Sequence, residues 1–230
     1  MKSSLAPMPA PAFAAPSRAL GAPPPILETE RLILREMRAV DAEALFQVYC
    51  DPQWLRFWGF AADRNVLDTR TRIAHDRLAN RRRVRLRWAI TRRDDGQPIG
   101  SAGYYRFMPE HRRAEITYEL CHSASGRGYM TEAVRAIVRF GFEHLGLHSV
   151  EAGIDPRNHA SMAVVERVGF RREGYLRQNY LFAGEFCDTI LYTMLDDAST
   201  ASGISPYAPS SQSRDARAKE ESRSEAFDYA

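Results

Sequence analysis

Two glycines, Gly126 and Gly128, stand one residue apart in the run S-G-R-G-Y-M-T-E-A-V at residues 125–134, immediately before a stretch with helical periodicity. A residue without a β-carbon lets another group approach the backbone closely. The first N–H groups of a helix have no partner inside the helix, and the helix dipole makes that end positive. The motif therefore indicates either a phosphate-binding loop or merely a tight turn, and G-x-G alone leaves both open.

Two common phosphate motifs are incomplete in this chain. The pattern G-x-x-x-x-G-K-[ST] of P-loop nucleoside triphosphatases is absent, and G-x-G-x-x-G fails because its third glycine position holds Thr131. A dinucleotide-binding fold would also place the motif after the first strand of the sheet, whereas here it follows the fourth expected strand. These absences favour a phosphate-bearing ligand of another class.

The cysteines and histidines do not indicate a metal site or a covalent mechanism. The three cysteines, Cys50, Cys121 and Cys187, are far apart and form no C-x-x-C pair, which is typical of a reducing compartment. The histidines show no metal-ligand spacing, so we expect no metal. Cys121 has the chemistry of a nucleophile, but the sequence places no His-Asp or His-Asn pair around it.

The glycines stand between a strand and the longest periodic helix. After them, apolar residues recur at helical spacing up to Gly146, which we expect to end the helix (Val134, Ile137, Val138, Gly141, Phe142 and Leu145). Strands are indicated near residues 31–36, 86–91, 99–107, 114–120, 148–154, 170–177 and 188–195, and helices near 70–82 and 160–168. Asp41 is expected to cap a further helix. The pattern predicts an α/β fold whose centre is a βαβ unit.

Composition divides the chain into three parts. Residues 1–25 hold seven of the 13 prolines and residues 197–230 are polar, so both ends are expected to be disordered arms around a single domain at 26–196. A hydrophobic fraction of 44% suits a substantial core, and no apolar run is long enough to span a bilayer. The net charge of +3 is too small to indicate a nucleic-acid partner. We expect a cytoplasmic protein that does not bind membranes.

Several separated motifs together resemble one family, the GNAT acetyltransferases. Residues 118–152 (Y-E-L-C-H-S-A-S-G-R-G-Y-M-T-E-A-V and onwards) are similar to its acetyl-coenzyme A motif, and residues 155–174 (D-P-R-N-H-A-S-M-A-V-V-E-R-V-G-F-R-R-E-G) to its second motif. L-E-T-E-R-L-I-L-R at 27–35 and D-A-E-A-L-F at 41–46 resemble the opening of the ribosomal-protein-alanine (RimJ/RimL-type) branch. The resemblance implies a mixed, mostly antiparallel sheet of about seven strands flanked by helices.

The resemblance also implies which residues hold acetyl-CoA. The Q/R-x-x-G-x-G/A signature of the family is placed on residues 125–130, so the backbone amides that follow Ser125 would bind the pyrophosphate (Gly126, Arg127, Gly128, Tyr129, Met130 and Thr131). The strand residues Leu120 and Cys121 would lie beside the pantetheine arm, with one of their N–H groups meeting the oxyanion. Asn158 and Ser161 would face the thioester end.

Two catalytic roles follow from the same resemblance. Glu119, on the strand beside the cofactor, is the candidate base that takes a proton from the acceptor amine, although a structural glutamate is the alternative. The tyrosine acid of many family members is replaced by Val165, which makes Ser161 the nearest hydroxyl candidate for protonating the thiolate. Ser125 also departs from the family pattern, because Gln or Arg is usual there.

We therefore expect an acetyl-CoA-dependent N-acetyltransferase, most simply one that acts on the N-terminal α-amino group of a ribosomal protein, as a monomer or homodimer. A small amine such as a polyamine, amino acid or aminoglycoside is the alternative acceptor. A non-catalytic acyl-CoA-binding module is the third interpretation, with R-R-R-V-R-L-R at residues 81–87 binding RNA. That charge run is more often a solvated face. The aromatic residues Trp54, Phe57, Trp58 and Phe60 are expected in the core or in the wall of the acceptor pocket.

Overall fold

A computed structural model describes residues 22–52, 55–57 and 60–196. The expected arms at 1–21 and 197–230, and Trp54 and Trp58, lie outside the described residues. Pro25, which the sequence placed in the N-terminal arm, contacts the core, since its carbonyl accepts a hydrogen bond of 2.6 Å from the Trp88 indole. Within the described part of the chain, no helix is long and apolar enough to cross a bilayer.

Eight strands form one sheet in the order β1-β2-β3-β4-β5-β6-β8-β7, and only the β5–β6 pair is parallel. The strands are β1 (Leu27–Glu28), β2 (Leu32–Arg35), β3 (Leu86–Arg92), β4 (Pro98–Met108), β5 (Arg113–Leu120), β6 (Ser149–Ile154), β7 (Arg171–Phe182) and β8 (Glu185–Leu195). The helices are α1 (Ala42–Tyr49), α2 (Val66–Arg81), α3 (Tyr129–Leu145) and α4 (His159–Val168). This confirms the mixed, mostly antiparallel fold, and β1 is the strand that the sequence did not indicate.

The two faces of the sheet have separate apolar clusters. On one face, α3 packs its buried residues against the strands, and Gly141 allows the close approach because a β-carbon there would overlap the Tyr104 hydroxyl. On the other face, α1 and α2 form a smaller cluster over β3, to which Leu45, Tyr49 and Ile73 contribute. We call these the α3 face and the α1 face. Alternate residues of each strand point to them in turn.

Local capping explains most helix boundaries. Asn65 caps α2 by accepting the Leu67 and Asp68 N–H groups at 2.9 and 3.1 Å, and Gly146 ends α3 with a φ of +64°, as the sequence predicts. The prediction that Asp41 caps α1 was wrong. Its carboxylate accepts the Arg38 N–H at 2.7 Å and pairs with Arg35, so it is not available to the first turn of α1.

The last hairpin is longer than the sequence pattern indicates. β7 and β8 are joined through Ala183 and Gly184, which both have positive φ values, of +50° and +85°. Such a conformation suits a two-residue hairpin turn whose twist matches the strands. Because Ala is an unusual residue at a left-handed position, the turn carries little signal in the sequence.

Candidate functional site

A gap opens between the two central strands. β5 and β6 pair only through residues 113–115 and 149–151, although β5 continues to Leu120 and β6 to Ile154. Their outer edges stay paired, β5 with β4 and β6 with β8. The two strands therefore separate from Ile116 onwards, and their facing edges are not paired with each other.

The backbone of β5 presents alternate N–H groups to this gap. The Cys121 N–H donates to the Ile99 carbonyl of β4 at 2.7 Å, so it points away from the gap. Since successive N–H groups on a strand point to opposite edges, those of Leu120 and Tyr118 point toward the gap. This corrects the expectation for Cys121, whose N–H is already used within the sheet. The Leu120 N–H points to the side that the sequence predicts for the arm, and Tyr118 is a further candidate that the sequence did not indicate.

The glycine motif lies at the open end of the gap, at the start of α3. Gly126 and Gly128 have φ values of +74° and +79°, and Gly128 is the N-cap of α3. A β-carbon on Gly126 would meet nothing within 4 Å, so the space beside the backbone is open. The geometry agrees with an anion site, in which helix N–H groups face a vacant approach.

The structure shifts the family signature by two residues. Its two small positions coincide with Gly126 and Gly128, which alone in this loop need a left-handed backbone. Met130, placed at the last small position by the sequence reasoning, lies in the first turn of α3 with a buried side chain. The backbone conformation therefore favours a placement in which the signature begins at Ser123, two residues before the predicted Ser125.

Arg31, which the sequence did not indicate, stabilises the start of α3. Its guanidinium pairs with Glu132 at 2.6 Å, donates to the Arg127 carbonyl at 3.0 Å and lies 4.7 Å from the centre of the Tyr129 ring. Burial acts to raise the pKa of Glu132, but hydrogen bonds from Thr29 and Arg31 outweigh it and hold that pKa below its ordinary value. The ionised Glu132 is thus compensated, so its charge does not oppose an anion bound at the helix start.

Asn158 and Ser161 lie together at the start of α4. Asn158 is the N-cap, and its side-chain oxygen accepts the Ser161 N–H at 3.1 Å. The Ser161 hydroxyl lies 2.7 Å from the hydroxyl of Tyr118, which also donates to the Ser161 carbonyl at 3.1 Å. Burial raises the pKa of Tyr118 above its ordinary value despite the hydrogen bond with Ser161. A neutral Tyr118 thereby links β5 to α4 on the α3 face.

Glu119 is buried on the α1 face in a polar cluster. Its side chain is fully buried, and its Oε1 atom contacts the Arg87 guanidinium and the Ser101 hydroxyl and accepts a hydrogen bond of 2.8 Å from Tyr49. Burial alone would lower the pKa of Arg87, but the charge of Glu119 raises it above its ordinary value. The other carboxylate oxygen, Oε2, has no hydrogen-bond partner among the described residues.

This setting differs from that of a free catalytic base. Arg87 carries its charge at every accessible pH and lies between two buried carboxylates, Glu119 and Asp76, whose Oδ2 atom is 3.8 Å from the Arg87 Nε, so Glu119 serves as one of the two counter-charges of a buried cation. The sequence reasoning placed Arg87 in a charge run at residues 81–87 that it interpreted as a solvated face. Arg81 and Arg82 are exposed as expected, whereas the Arg87 side chain is only 10% exposed.

A second polar group lies beyond β6. Asp155 accepts two hydrogen bonds from the Arg157 guanidinium, at 2.9 and 2.7 Å, one from the Arg157 backbone N–H at 2.9 Å and one from the Tyr180 hydroxyl at 3.1 Å. Burial acts to raise the pKa of Asp155, but the bonds from Arg157 hold it below its ordinary value. The Arg157 guanidinium also lies 5.8 Å from the ring centre of Phe57. Nearby is a cavity of about 430 Å³ lined by Arg56, Phe57, Arg157, Phe182, Ala183, Glu185 and Cys187.

The gap, the glycine loop and the polar start of α4 form one arrangement around a central βαβ unit. The model of the Acetyltransferase (GNAT) domain matches residues 31–171, which is most of the part of the chain that the structure describes. The chain belongs to the GNAT acetyltransferase family. It is therefore an acyltransferase that uses the GNAT fold, as the sequence motifs indicate.

Curated relatives agree with this assignment. The uncharacterized N-acetyltransferase YoaA of Bacillus subtilis is 34% identical over 171 residues, which cover 74% of this GNAT chain and 97% of YoaA. Spermidine N(1)-acetyltransferase of Escherichia coli is 23% identical over 160 residues, which cover 68% of this chain and 82% of that enzyme.

Solved structures share the fold over the same region. A putative ribosomal-protein-serine acetyltransferase from Vibrio cholerae has a TM-score of 0.66 at 26% identity, covering 76% of this chain and 99% of its own. Mycobacterium smegmatis RimJ, solved in complex with CoA-disulfide, has a TM-score of 0.66 at 25% identity, covering 73% of this chain and 83% of its own. The domain is thus similar to both across almost its whole described length.

Proposed function

We propose that this GNAT enzyme transfers the acetyl group of acetyl-CoA to a primary amine by direct attack, without a covalent enzyme intermediate. The observation that carries the proposal is the gap between β5 and β6, with a helix N-terminus at its open end. A long ligand with a phosphate group at one end and amides along its arm matches these two features. Cys121 has no role as a nucleophile in this proposal, because its backbone N–H and thiol lie at the end of β5 against β4 and Ser123.

The cofactor contacts follow from the same geometry. The pyrophosphate would accept hydrogen bonds from the backbone N–H groups of residues 126–131, and the amides of the pantetheine arm would pair with the gap edge of β5 at Tyr118 and Leu120. Asn158 and Ser161 would border the arm from α4. The bound thioester supplies an electrophilic carbonyl, whose oxyanion a backbone N–H of β5 would stabilise.

Replacing Gly128 tests this placement of the pyrophosphate. Gly128→Val puts a branched side chain where the phosphate approaches, and we expect affinity for acetyl-CoA to fall by about tenfold or more. Gly146→Val is the matched control, because Gly146 has a similar φ of +64° but lies at the opposite end of α3. Both variants carry about 1–3 kcal/mol of backbone strain. Calorimetry measures the affinity of both variants for acetyl-CoA. Equal affinities would mean that the pyrophosphate does not bind at Gly128.

The acceptor amine must approach from the α1 face, because α3 and α4 cover the other face of the gap. A primary amine is mostly protonated at neutral pH, so it must lose a proton before it attacks. Two carboxylates of β5 point to the α1 face, Glu119 of the sequence prediction and Glu115. The departing sulfur needs a proton as well, and Ser161, held by Tyr118 and backed by Asn158, is the proposed donor.

We propose the N-terminal α-amino group of a protein, ribosomal in the first instance, as the acceptor. The support is similarity to RimJ and to the putative ribosomal-protein-serine acetyltransferase, together with the 430 Å³ cavity, which has room for the first residues of a peptide. A small amine is the second candidate, favoured by the similarity to the spermidine enzyme.

A thiol-release assay separates these candidates. The full chain is incubated with acetyl-CoA and a panel of N-terminal peptides, spermidine, free amino acids and an aminoglycoside. We expect a higher kcat/KM for peptides, and a slower turnover for Ser161→Ala with unchanged acetyl-CoA affinity. Preference for spermidine would support the second candidate. Release of CoA with none of the acceptors, despite bound acetyl-CoA, would support a non-catalytic binding module.

A further inference from the structure

Glu115 lies where the two central strands come together. It is the last residue of β5 that pairs with β6, opposite Glu151, and the gap opens immediately beyond it. From Leu120 to Ile116 the strand rises about 13 Å. An extended pantetheine arm is of comparable length, so a thioester whose phosphates lie at the start of α3 would reach the closed end of the gap. Glu115 stands at that end, four residues from Glu119.

The side chain of Glu115 points to the face from which the amine must come. The register shift between β4 and β5 inserts Tyr105 in β4 opposite Glu115 and Ile116, whereas β5 itself has no extra residue, so Glu115 and Glu119 lie on the same face of that strand. On the neighbouring strand β6, Gly153 leaves space beside it, since a β-carbon there would lie 3.5 Å from a carboxylate oxygen of Glu115. The carboxylate therefore faces a glycine rather than a side chain of β6, and the Thr189 methyl group of β8 bounds the space, at 3.2 Å from that β-carbon position.

The hydrogen-bonding of Glu115 is unsaturated. Among the described residues its carboxylate accepts no hydrogen bond, and its nearest cation is the Arg106 guanidinium of β4 at 3.8 Å. Its side chain is 31% exposed, whereas that of Glu119 is fully buried and pairs with Arg87. A carboxylate with free oxygens and partial access to solvent can exchange a proton. Glu119, by contrast, is shielded from solvent, and its Oε1 atom is already in contact with Arg87, Ser101 and Tyr49.

We infer that Glu115 is the general base of the transfer, and that Glu119 instead holds the buried cluster together. The inference rests on the proposed function. Glu115 takes one proton from the incoming ammonium group, directly or through one water. The freed lone pair then forms the C–N bond with the thioester carbon. The attacking nitrogen then carries one surplus proton. When the C–S bond breaks, its electron pair leaves with the sulfur, the nitrogen gives up this second proton while the sulfur takes one up, and Glu115 returns the first proton to solvent.

The charges around Glu115 favour this role. Burial raises the pKa of Glu115 above its ordinary value, Arg106 of β4 acts in the opposite direction, and Glu151 of β6 adds to the rise. Arg113, on β5 itself, pairs with Glu151 and so moderates that repulsion. A base is most effective when its pKa lies nearer the working pH, so the raised pKa favours proton uptake by Glu115.

The test uses the acceptor identified by the thiol-release assay and compares Glu115→Gln with the wild type. We expect kcat to fall by about 10²–10⁴-fold at neutral pH, with acetyl-CoA affinity unchanged. The loss should shrink as the pH approaches the pKa of the acceptor amine, because a neutral amine needs no base. Glu115→Asp keeps the carboxylate and should recover part of the activity. A Glu115→Gln enzyme with the wild-type kcat and pH profile would overturn the inference.

Two variants of neighbouring residues test the role of Glu115 through the pH profile, which would not change if Glu115 had only a structural role. Glu151→Gln removes a like charge and should shift the acidic limb of the kcat/KM profile to lower pH. Arg106→Gln removes the nearest cation and should shift that limb to higher pH. If the acidic limb of the kcat/KM profile stays at the wild-type pH in both variants, the inference is overturned, even where Glu115→Gln fails to fold. A wild-type enzyme that acetylates no amine would instead contradict the proposed function itself.

Discussion

Glu115 and Glu119 both lie on β5 and on the α1 face, four residues apart, yet their surroundings differ in burial and in hydrogen bonding. Glu119 lies where β5 is covered by α1, with a buried arginine and two hydroxyl groups around one of its oxygens. Glu115 lies where β5 meets β6, partly exposed and without a hydrogen bond among the described residues. The residue type and the strand face are the same, so the difference arises entirely from the neighbouring elements.

This contrast separates a carboxylate that supports the fold from one that is available for chemistry. A buried charge is retained in a protein when it is paired and hydrogen-bonded, and its partners then restrict what else it can do. A group with unsaturated hydrogen bonds weakens the fold slightly and keeps its reactivity, as active-site groups commonly do. The predictions below concern the stability of the protein, where the two residues should respond in opposite directions.

The largest expected effect is that of Glu119→Gln. The substitution keeps the shape of the side chain but removes the nearer counter-charge of the buried Arg87, which is left with Asp76 at 3.8 Å. We expect the free energy of unfolding to fall by about 3–5 kcal/mol at neutral pH. Urea unfolding of the variant and the wild type measures the loss, with the slope of the transition as a check on two-state behaviour.

Two controls sharpen this prediction. Glu28→Gln removes the partner of Arg93 in an ion pair whose side chains are 59% and 41% exposed, and it should change stability by no more than about 0.5 kcal/mol. The double variant Arg87→Met, Glu119→Leu removes this ion pair together and should recover part of the loss, because Asp76 loses Arg87 but keeps Arg85 at 3.9 Å. Equal losses in Glu119→Gln and Glu28→Gln would mean that the buried cluster contributes nothing beyond a surface pair.

Much of the fold could be predicted from the sequence because its signals are local. The apolar spacing of α3, the glycine that ends it and the strand alternation depend on a few neighbouring residues, and the structure confirms them. The strand β1 was missed because two residues carry no periodicity. The hairpin at Ala183 was missed because its left-handed turn uses a residue that rarely adopts this conformation.

The candidate site was predictable only where its parts are contiguous in the chain. The glycine loop with Gly126 and Gly128 could be recognised from residue types alone. The cluster of Glu119 could not, because Tyr49, Arg87 and Ser101 come from three other elements, and the charge run around Arg87 suggested exposure. The separation of β5 from β6 is likewise a long-range property, and without it Glu115 has no distinguishing feature in the sequence.

An intermediate effect is expected for Tyr49→Phe. The Tyr49 hydroxyl lies 2.8 Å from Glu119 Oε1 and 2.9 Å from the Ser101 hydroxyl, and its side chain is buried. Burial and then the charge of Glu119 raise the pKa of Tyr49 above its ordinary value, so the hydroxyl is a permanent donor. Losing this charge-assisted bond should cost about 1.5–3 kcal/mol, because Arg87 still pairs with Glu119.

Tyr192→Phe is the matched control for this loss. Its hydroxyl donates to Glu166 at 2.8 Å, but the carboxylate of Glu166 belongs to an exposed residue on α4. Water can replace that bond, so we expect a loss of no more than about 1 kcal/mol. If thermal unfolding shows the two phenylalanine variants to be equally stable, the hydrogen bond inside the cluster is no stronger than one at the surface.

The smallest effect is expected for Glu115→Gln, and its sign is opposite. Burial raises the pKa of Glu115 in the folded state, so the folded protein binds this proton more tightly than the unfolded chain does. The stability that the protonated carboxyl contributes is fully present below the ordinary glutamate pKa and is lost as the pH rises through the raised one. Glutamine resembles the protonated form, so the variant should gain stability relative to the wild type across this window and keep the gain at neutral pH.

Urea unfolding of both proteins at a series of pH values measures this difference. A difference that does not change with pH would show that the folded protein holds the two forms of Glu115 equally well. A Glu115→Gln protein that is less stable than the wild type at neutral pH would give Glu115 the same structural role as Glu119.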